Sequence, residues 1–326
     1  MTESIVKNRV IGVDISIGRT SFAIVDVRGN IIARDGFETT DIINVNKYVE
    51  MLSEKIIMLA ESNGGYENIR SMGISAPSGN FKTGCIENAP NLNWKGTVPL
   101  AAMLRDRLGI AVALGNDAHM SALGEHVFGS AHGMKDFIII TLGHGVGSCI
   151  FSNGRVHLGA EGFAGEVGHS CAVYNGRTCG CGKKGCLEAY CGAKGIVNTA
   201  KELMEESDAP TLMRGIEKLT PKLIYECCEK GDDMAIEVFR RTGQMLGFTM
   251  AGYATILDPE AIILTGGVSR AGHWLIDPTY EAFNSHVFHN IRGNVKILTS
   301  ILEDHERDVL GASALAWGIK EYSLFK

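Results

Sequence analysis

VIGVDISIGRTSFAIVDVRGNIIA, Val10 to Ala33, contains three apolar runs, with a polar or glycine turn after the first and Arg28-Gly29-Asn30 after the second. Runs rich in Val, Ile and Phe between such turns read as strands joined in a meander. The plan recurs in FIIITLGHGVGSCIFSNGRVHLG, Phe137 to Gly159, where Ser152-Asn153-Gly154 makes the second turn. On pattern alone, two unrelated hairpins are an equal reading. The segments that follow each copy decide for α/β.

After the first copy, NKYVEMLSEKIIMLAESNGG has apolar residues at helical spacing and stops at Gly64-Gly65. SMGISAP then reads as a strand, and VPLAAMLRDRLG as a helix with Pro99 near its start and Gly109 at its end. IAVALGNDA is a strand entering a turn, and HMSALGEHVFG continues as a helix. In the second half, TPKLIYECCEKG has Thr220 as N-cap, Pro221 at the first helical position and Gly231 as C-cap. A long apolar helix, MAIEVFRRTGQMLGFTMAGYATIL, precedes the strand AIILTGG, and RDVLGASALAWGIKEY closes the chain as a helix. The expected architecture is two α/β domains with a cleft between them, where small ligands usually bind. Their expected extents are 1–115 with 308–326, and 116–307.

The 326 residues suffice for two domains of ordinary size. No apolar run approaches the roughly 18–20 residues that span a bilayer. The N-terminus MTESIVKNRV lacks the basic-then-apolar layout of a secretory signal, so a cytoplasmic protein with no membrane partner is expected. A net charge of −6 argues against nucleic acid as a partner. Nine cysteines, an odd number and clustered, point to metal rather than disulfides in a reducing compartment.

Three places carry chemistry. In TLGHGVGS, Thr141 to Ser148, alternating glycines follow a strand, and backbone N–H groups free of side-chain bulk can close on phosphate. A purely structural hairpin is the competing reading. Asn116-Asp117 ends a strand and starts a helix. On spacing alone it is a helix cap, although an acid there can also accept a proton from a sugar hydroxyl. His169, Cys179, Cys181 and Cys186 form a one-nitrogen, three-sulfur set in GEVGHS and CGCGKKGCLE. Four protein ligands fill a tetrahedral zinc, which makes it structural rather than catalytic. Cys171 and Cys191 lie near enough in sequence to substitute for a ligand.

The order of these features resembles the ROK family of sugar kinases, within the actin-like ATPase (ribonuclease H-like) superfold. The resemblance runs through GVD, GISAPSGN, APNLNW, GNDA, TLGHGVG, GEVGH, CGCGKKGCLE, LDPEAIILTGGV and GASALA. It implies transfer of the γ-phosphoryl of Mg-ATP to a hydroxyl of a hexose or aminosugar, with glucose first, and a homodimer. Some members are repressors with a helix-turn-helix ahead of this region; with nine residues before the first strand, that branch is not expected. Position by position, the resemblance makes Asp117 the catalytic base. Gly79, Asn80, Asn91, Asn116, Glu166, His169 and Glu188 become sugar contacts. Asp14, Gly18 and Arg19 fall to the nucleotide, as do Gly143, His144, Gly145, Gly266 and Gly267.

Both phosphate loops depart from the family pattern. Asp14-Ile15-Ser16-Ile17-Gly18 stands where D-x-G-G-T is usual, and His144 stands where the second loop has threonine. His119 replaces an asparagine after GNDA. Each lost hydroxyl donor to a charged phosphate is worth roughly 1.5–3 kcal/mol, so weak ATP binding is expected, with Arg19 and His144 offering charge in compensation. Two alternatives follow: a sugar-binding or regulatory protein without phosphoryl transfer, and a glycoside-hydrolysing site using Asp117, Glu166 and Glu188.

Overall fold

A computed structural model describes residues 7–89 and 92–319. The first of its two compact units runs to Gly133 and resumes at Ile301; the second covers Met134–Ser300.

The first unit opens with the expected meander, β1 (Arg9–Ser16), β2 (Arg19–Asp26) and β3 (Ile31–Glu38), followed by helix α1 (Val45–Glu61) and β4 (Ile69–Ala76). Short strands β5 (Gly79–Asn80), β6 (Cys85–Glu87) and β7 (Thr97–Val98) form a small side sheet before α2 (Leu100–Leu108), β8 (Ala111–Asn116) and α3 (Asp117–Phe128). The main sheet has the order β3-β2-β1-β4-β8, antiparallel across the meander and parallel from β1 to β8.

The second unit repeats this plan. β9 (Phe137–Leu142), β10 (Val146–Ser152) and a two-residue β11 (Arg155–Val156) make its meander. Helices α4 (Glu188–Cys191), α5 (Ala193–Glu206), α6 (Pro221–Cys228) and α7 (Asp233–Leu257) lead to β12 (Ala261–Thr265), α8 (His273–His286) and β13 (Lys296–Thr299). Sheet order is β11-β10-β9-β12-β13, again antiparallel in the meander and parallel beyond it. The two meanders are therefore equivalent parts of one mixed-sheet α/β plan. Helix α9 (Asp304–Gly318) completes the first unit.

The division falls at 133/134 and 300/301 rather than the expected 115/116 and 307/308, because α3 packs along α9. Glycines bring these helices close. A Cβ on Gly311 would stand 1.7 Å from the Met120 carbonyl oxygen, and one on Gly124 2.7 Å from that of Arg307.

Strand alternation sets the site. On β1, Ile11, Val13 and Ile15 enter a core with Leu52 and Ile56 of α1 and Leu104 of α2. The alternate residues Val10, Gly12 and Asp14 take the other face, where Val10 packs with Val309 and Leu310 of α9. Gly12 and Gly73 let α9 approach; their Cβ atoms would lie 2.2 Å from the Val309 oxygen and 1.9 Å from the Ala312 oxygen. Gly73→Ala is accordingly expected to destabilise the chain by about 1–3 kcal/mol through overpacking. Urea unfolding should show a lower midpoint with an unchanged slope.

Helix caps follow the residue types. Thr220 Oγ1 accepts from Leu223 N at 3.2 Å with Pro221 first in the helix, and Gly109 closes α2 at φ 67°. Gly231 is not the C-cap of α6: Glu229 holds that position, and Gly231 turns the chain two residues later at φ 77°. Helices α5 and α8 start at Gly192 and Gly272 with no side-chain cap, and so carry no start signal in the sequence.

Candidate active site

In the first unit, Asp14 pairs in register with Ser75 across β1 and β4. On that face burial pushes its carboxyl up to about 7, with the charges of Asp308 and Asp117 adding to the rise. Asp308 is raised to about 6, again chiefly by burial, against the lowering effect of Arg307. Its Oδ1 accepts from Ser121 Oγ at 2.6 Å, and the buried Arg307 donates from Nε to the same hydroxyl at 2.8 Å. Three acids therefore share one face of the unit. Asp308 and Arg307 lie in the stretch read only as a closing helix, where nothing marks them as facing Asp14.

Asn116 and Asp117 combine both readings proposed for them. Asn116 caps α3, its Oδ1 accepting from Ala118 N at 2.8 Å, and Asp117 is the first helical residue. Asp117 Oδ1 takes the same N–H at 2.8 Å. The carboxylate reaches solvent yet is crowded by protein, and this loss of hydration raises its pKa. Gly79 sits beside them, since a Cβ there would lie 2.5 Å from the Gly115 oxygen. Asn80 is engaged in its own turn, accepting from Lys82 N and donating to Glu87 Oε1. Asn91 lies outside the described residues.

The β1–β2 loop, expected from the resemblance to meet phosphate, is a tight hairpin in which Gly18, at φ 79°, is required by the turn, and Ile17 at its tip is 64 % exposed. Arg19, matched to the nucleotide, pairs through Nη1 with Glu38 Oε1 at 2.8 Å on the neighbouring strand, an exposed ion pair. His119 is buried, and desolvation lowers its pKa by disfavouring the charged ring.

In the second unit, His169, Cys179, Cys181 and Cys186 bring one ligand atom each within 4.8 Å of one another. His169 Nδ1 stands 3.7 Å from Cys179 Sγ, and Cys181 Sγ 3.7 Å from Cys186 Sγ. All nine cysteines are free thiols. Cys191 is buried and Cys171 exposed, and neither joins the set. This arrangement can chelate a metal ion. With Nδ1 turned to the sulfurs, His169 keeps Nε2 for another partner.

Glu166 immediately precedes the short 3-10 turn Val167–His169, which Ser148 Oγ pins by accepting from Val167 N at 3.0 Å. Glu188, the first residue of α4, accepts from Val146 N through Oε2 at 3.0 Å. A Cβ on Gly145 would collide with that oxygen at 2.3 Å.

Gly143, His144 and Gly267 line one cavity of about 550 Å³. A Cβ on Gly143 or Gly267 would meet no protein atom within 4 Å, so packing does not demand glycine at either. Gly266 is different: at φ 87° it lies against the Leu142 backbone, where a Cβ would come within 2.5 Å of the oxygen. Lys222, Tyr225 and Arg270 also line the cavity, and none of its lining residues is acidic. Sequence reasoning missed these three. Lys222 follows the Thr220-Pro221 helix start and Arg270 the Gly266-Gly267 turn, which were the available signals.

These features place the chain by class. It belongs to the ROK family, whose model matches residues 10–319. Among characterised relatives, a glucokinase of Halalkalibacterium halodurans is 34% identical over 77% of this chain and 76% of its own length. A ROK family glucokinase from Streptomyces griseus, solved with glucose and AMPPNP, superposes with a TM-score of 0.76 at 30% identity, covering 95% of this chain and 99% of that one. A xylose repressor of Caldicellulosiruptor bescii is 27% identical over 94% of this chain and 77% of its own length. Family membership alone thus leaves DNA-binding regulators among its relatives. No described helix is long and apolar enough to cross a membrane.

Proposed function

We propose that this chain is an ATP-dependent hexose kinase with glucose as its first substrate. The observation that carries the reading is the convergence of Gly143, His144 and Gly267, assigned separately to nucleotide by resemblance, on one acid-free cavity. There Lys222 and Arg270 supply positive charge, His144 an imidazole N–H and Tyr225 an aromatic wall, as a nucleotide with a polyphosphate tail requires. Cationic side chains take the place of the hydroxyl donors that the phosphate loops lack.

In the first unit Asp117 is assigned the role of general base, its open oxygen accepting the proton of the attacking sugar hydroxyl. Asp14 is assigned to the side of the metal-bound phosphates, which is supported by its position on the α9 face beside Asp117. Asn116, held by its cap bond, retains its amide N–H groups for the sugar. In the second unit Glu166, His169 and Glu188 are assigned to sugar hydroxyls, His169 through Nε2. Mg-ATP is the proposed donor, and a second copy of the chain the proposed oligomeric partner.

The metal proposed for the His169–Cys186 set is zinc. Sulfur ligands about 2.3 Å from a tetrahedral zinc stand about 3.8 Å apart, close to the spacing found here. Freshly purified protein is expected to carry one zinc per chain. Metal analysis finding none, in protein that still binds sugar, would remove the ion from the account.

The test of function is ADP release from ATP and magnesium with a panel of hexoses and aminosugars. Turnover with glucose supports the kinase. Heat-shift stabilisation by a sugar with no ADP release would instead support a sugar-responsive regulator, the reading favoured by Ile17 at the tip of the first phosphate hairpin.

A further inference from the structure

Val146 begins β10 and directly follows the second phosphate turn. Its N–H is bonded by one segment that the sequence places elsewhere, and its carbonyl is packed against another. Its N–H donates to Glu188 Oε2 at 3.0 Å, while its carbonyl oxygen is approached by Gly168, whose Cβ would stand 2.1 Å away. The turn itself is gripped from the same side: Ala193 N donates to the Gly143 oxygen at 2.9 Å, and Gly192 lies against the His144 and Gly145 backbone. Glu188 follows Cys186 by two residues, and Gly168 precedes His169 by one. Each residue gripping Val146 is thus within two positions of a metal-ligating side chain.

We infer that Glu188 is a positioning residue joining the His169/Cys179/Cys181/Cys186 knot to the Gly143–Gly147 turn, so that metal held in the knot orders the phosphate-binding loop. The inference rests on the proposed nucleotide role of that turn. Its physical basis is the cost of ordering. The 171–186 loop contains no regular strand or helix among its residues, and four ligand bonds to one ion would confine both of its ends. With the ends confined, the start of α4 is fixed and the Glu188 side chain keeps the rotamer that reaches Val146. Glu188 Oε1 stands 3.5 Å from Cys179 Sγ while Oε2 takes the Val146 N–H, so one carboxylate touches the knot and the turn at once.

Amide hydrogen exchange, read at residues 141–150 without sugar or nucleotide, tests this with zinc as the metal. Zinc-loaded wild type is expected to protect Val146. Glu188→Ala, with zinc content unchanged, is expected to exchange there roughly ten- to a hundredfold faster, the worth of one hydrogen bond to a charged acceptor. Glu188→Gln, which keeps an accepting oxygen, should restore the protection, and zinc removal from wild type should reproduce the alanine result. Unchanged exchange in loaded Glu188→Ala, or in stripped wild type, would overturn the inference. Equal acceleration at Ile138–Ile140 on stripping would also overturn it, since the ion would then be holding the whole sheet. Nucleotide is absent throughout, so failure of the kinase reading would appear in the ADP assay and not here.

Discussion

Asp117→Asn lowers the rate of ADP release about a thousandfold, within the range general-base catalysis contributes, while sugar binding survives. The substitution is conservative where structure is concerned. Asparagine keeps an Oδ1 to accept the Ala118 N–H bond, and the Asn116 cap on α3 is untouched. What it removes is the capacity to take a proton. Crowding raises the Asp117 pKa above the ordinary carboxylate value, which makes its carboxylate a stronger base than a hydrated one. The acid limb of the wild-type rate profile should accordingly sit above the usual carboxylate range. Turnover of the variant equal to wild type, with sugar-dependent heat-shift intact, would exclude Asp117 as the base.

Asp14→Asn is expected to stabilise the chain at alkaline pH while abolishing transfer. Burial and the neighbouring Asp308 hold the Asp14 carboxyl up to about 7, against about 3.9 in an unfolded chain. The folded state therefore binds a proton that the unfolded state has released. The sign follows directly: stability is fully present below about pH 4 and is lost as pH rises through 7. Asparagine carries no charge to desolvate, so at pH 8 the variant should exceed wild type by on the order of 4 kcal/mol, and at pH 4 the two should converge. Urea midpoints at the two pH values measure the difference. Wild type being the more stable at pH 8 would show that the carboxylate is compensated in the folded chain. An acid kept at a stability cost is expected where function needs charge.

Part of the site was legible before the fold. Thr220-Pro221 opened α6 as read, and Asn116-Asp117 opened α3, because capping is chemistry between neighbours two or three positions apart. The cysteine knot was legible for a similar reason: three of its four ligands lie within eight residues. For Arg19 the charge was visible and its ion-pair partner was not; Glu38 lies directly opposite it on the adjacent strand, nineteen positions along the chain.

The sequence by itself determined the two meanders, the starts of α3 and α6 and the metal-ligating set, since each depends on periodicity or on short spacing along the chain. Only the tertiary structure decided that Asp14 shares its face with Asp308, that Lys222 and Arg270 enter the Gly143 cavity, and that Glu188 meets Val146 from 42 positions away. Those contacts depend on which faces of distant elements pack together, and residue order alone does not encode that distance.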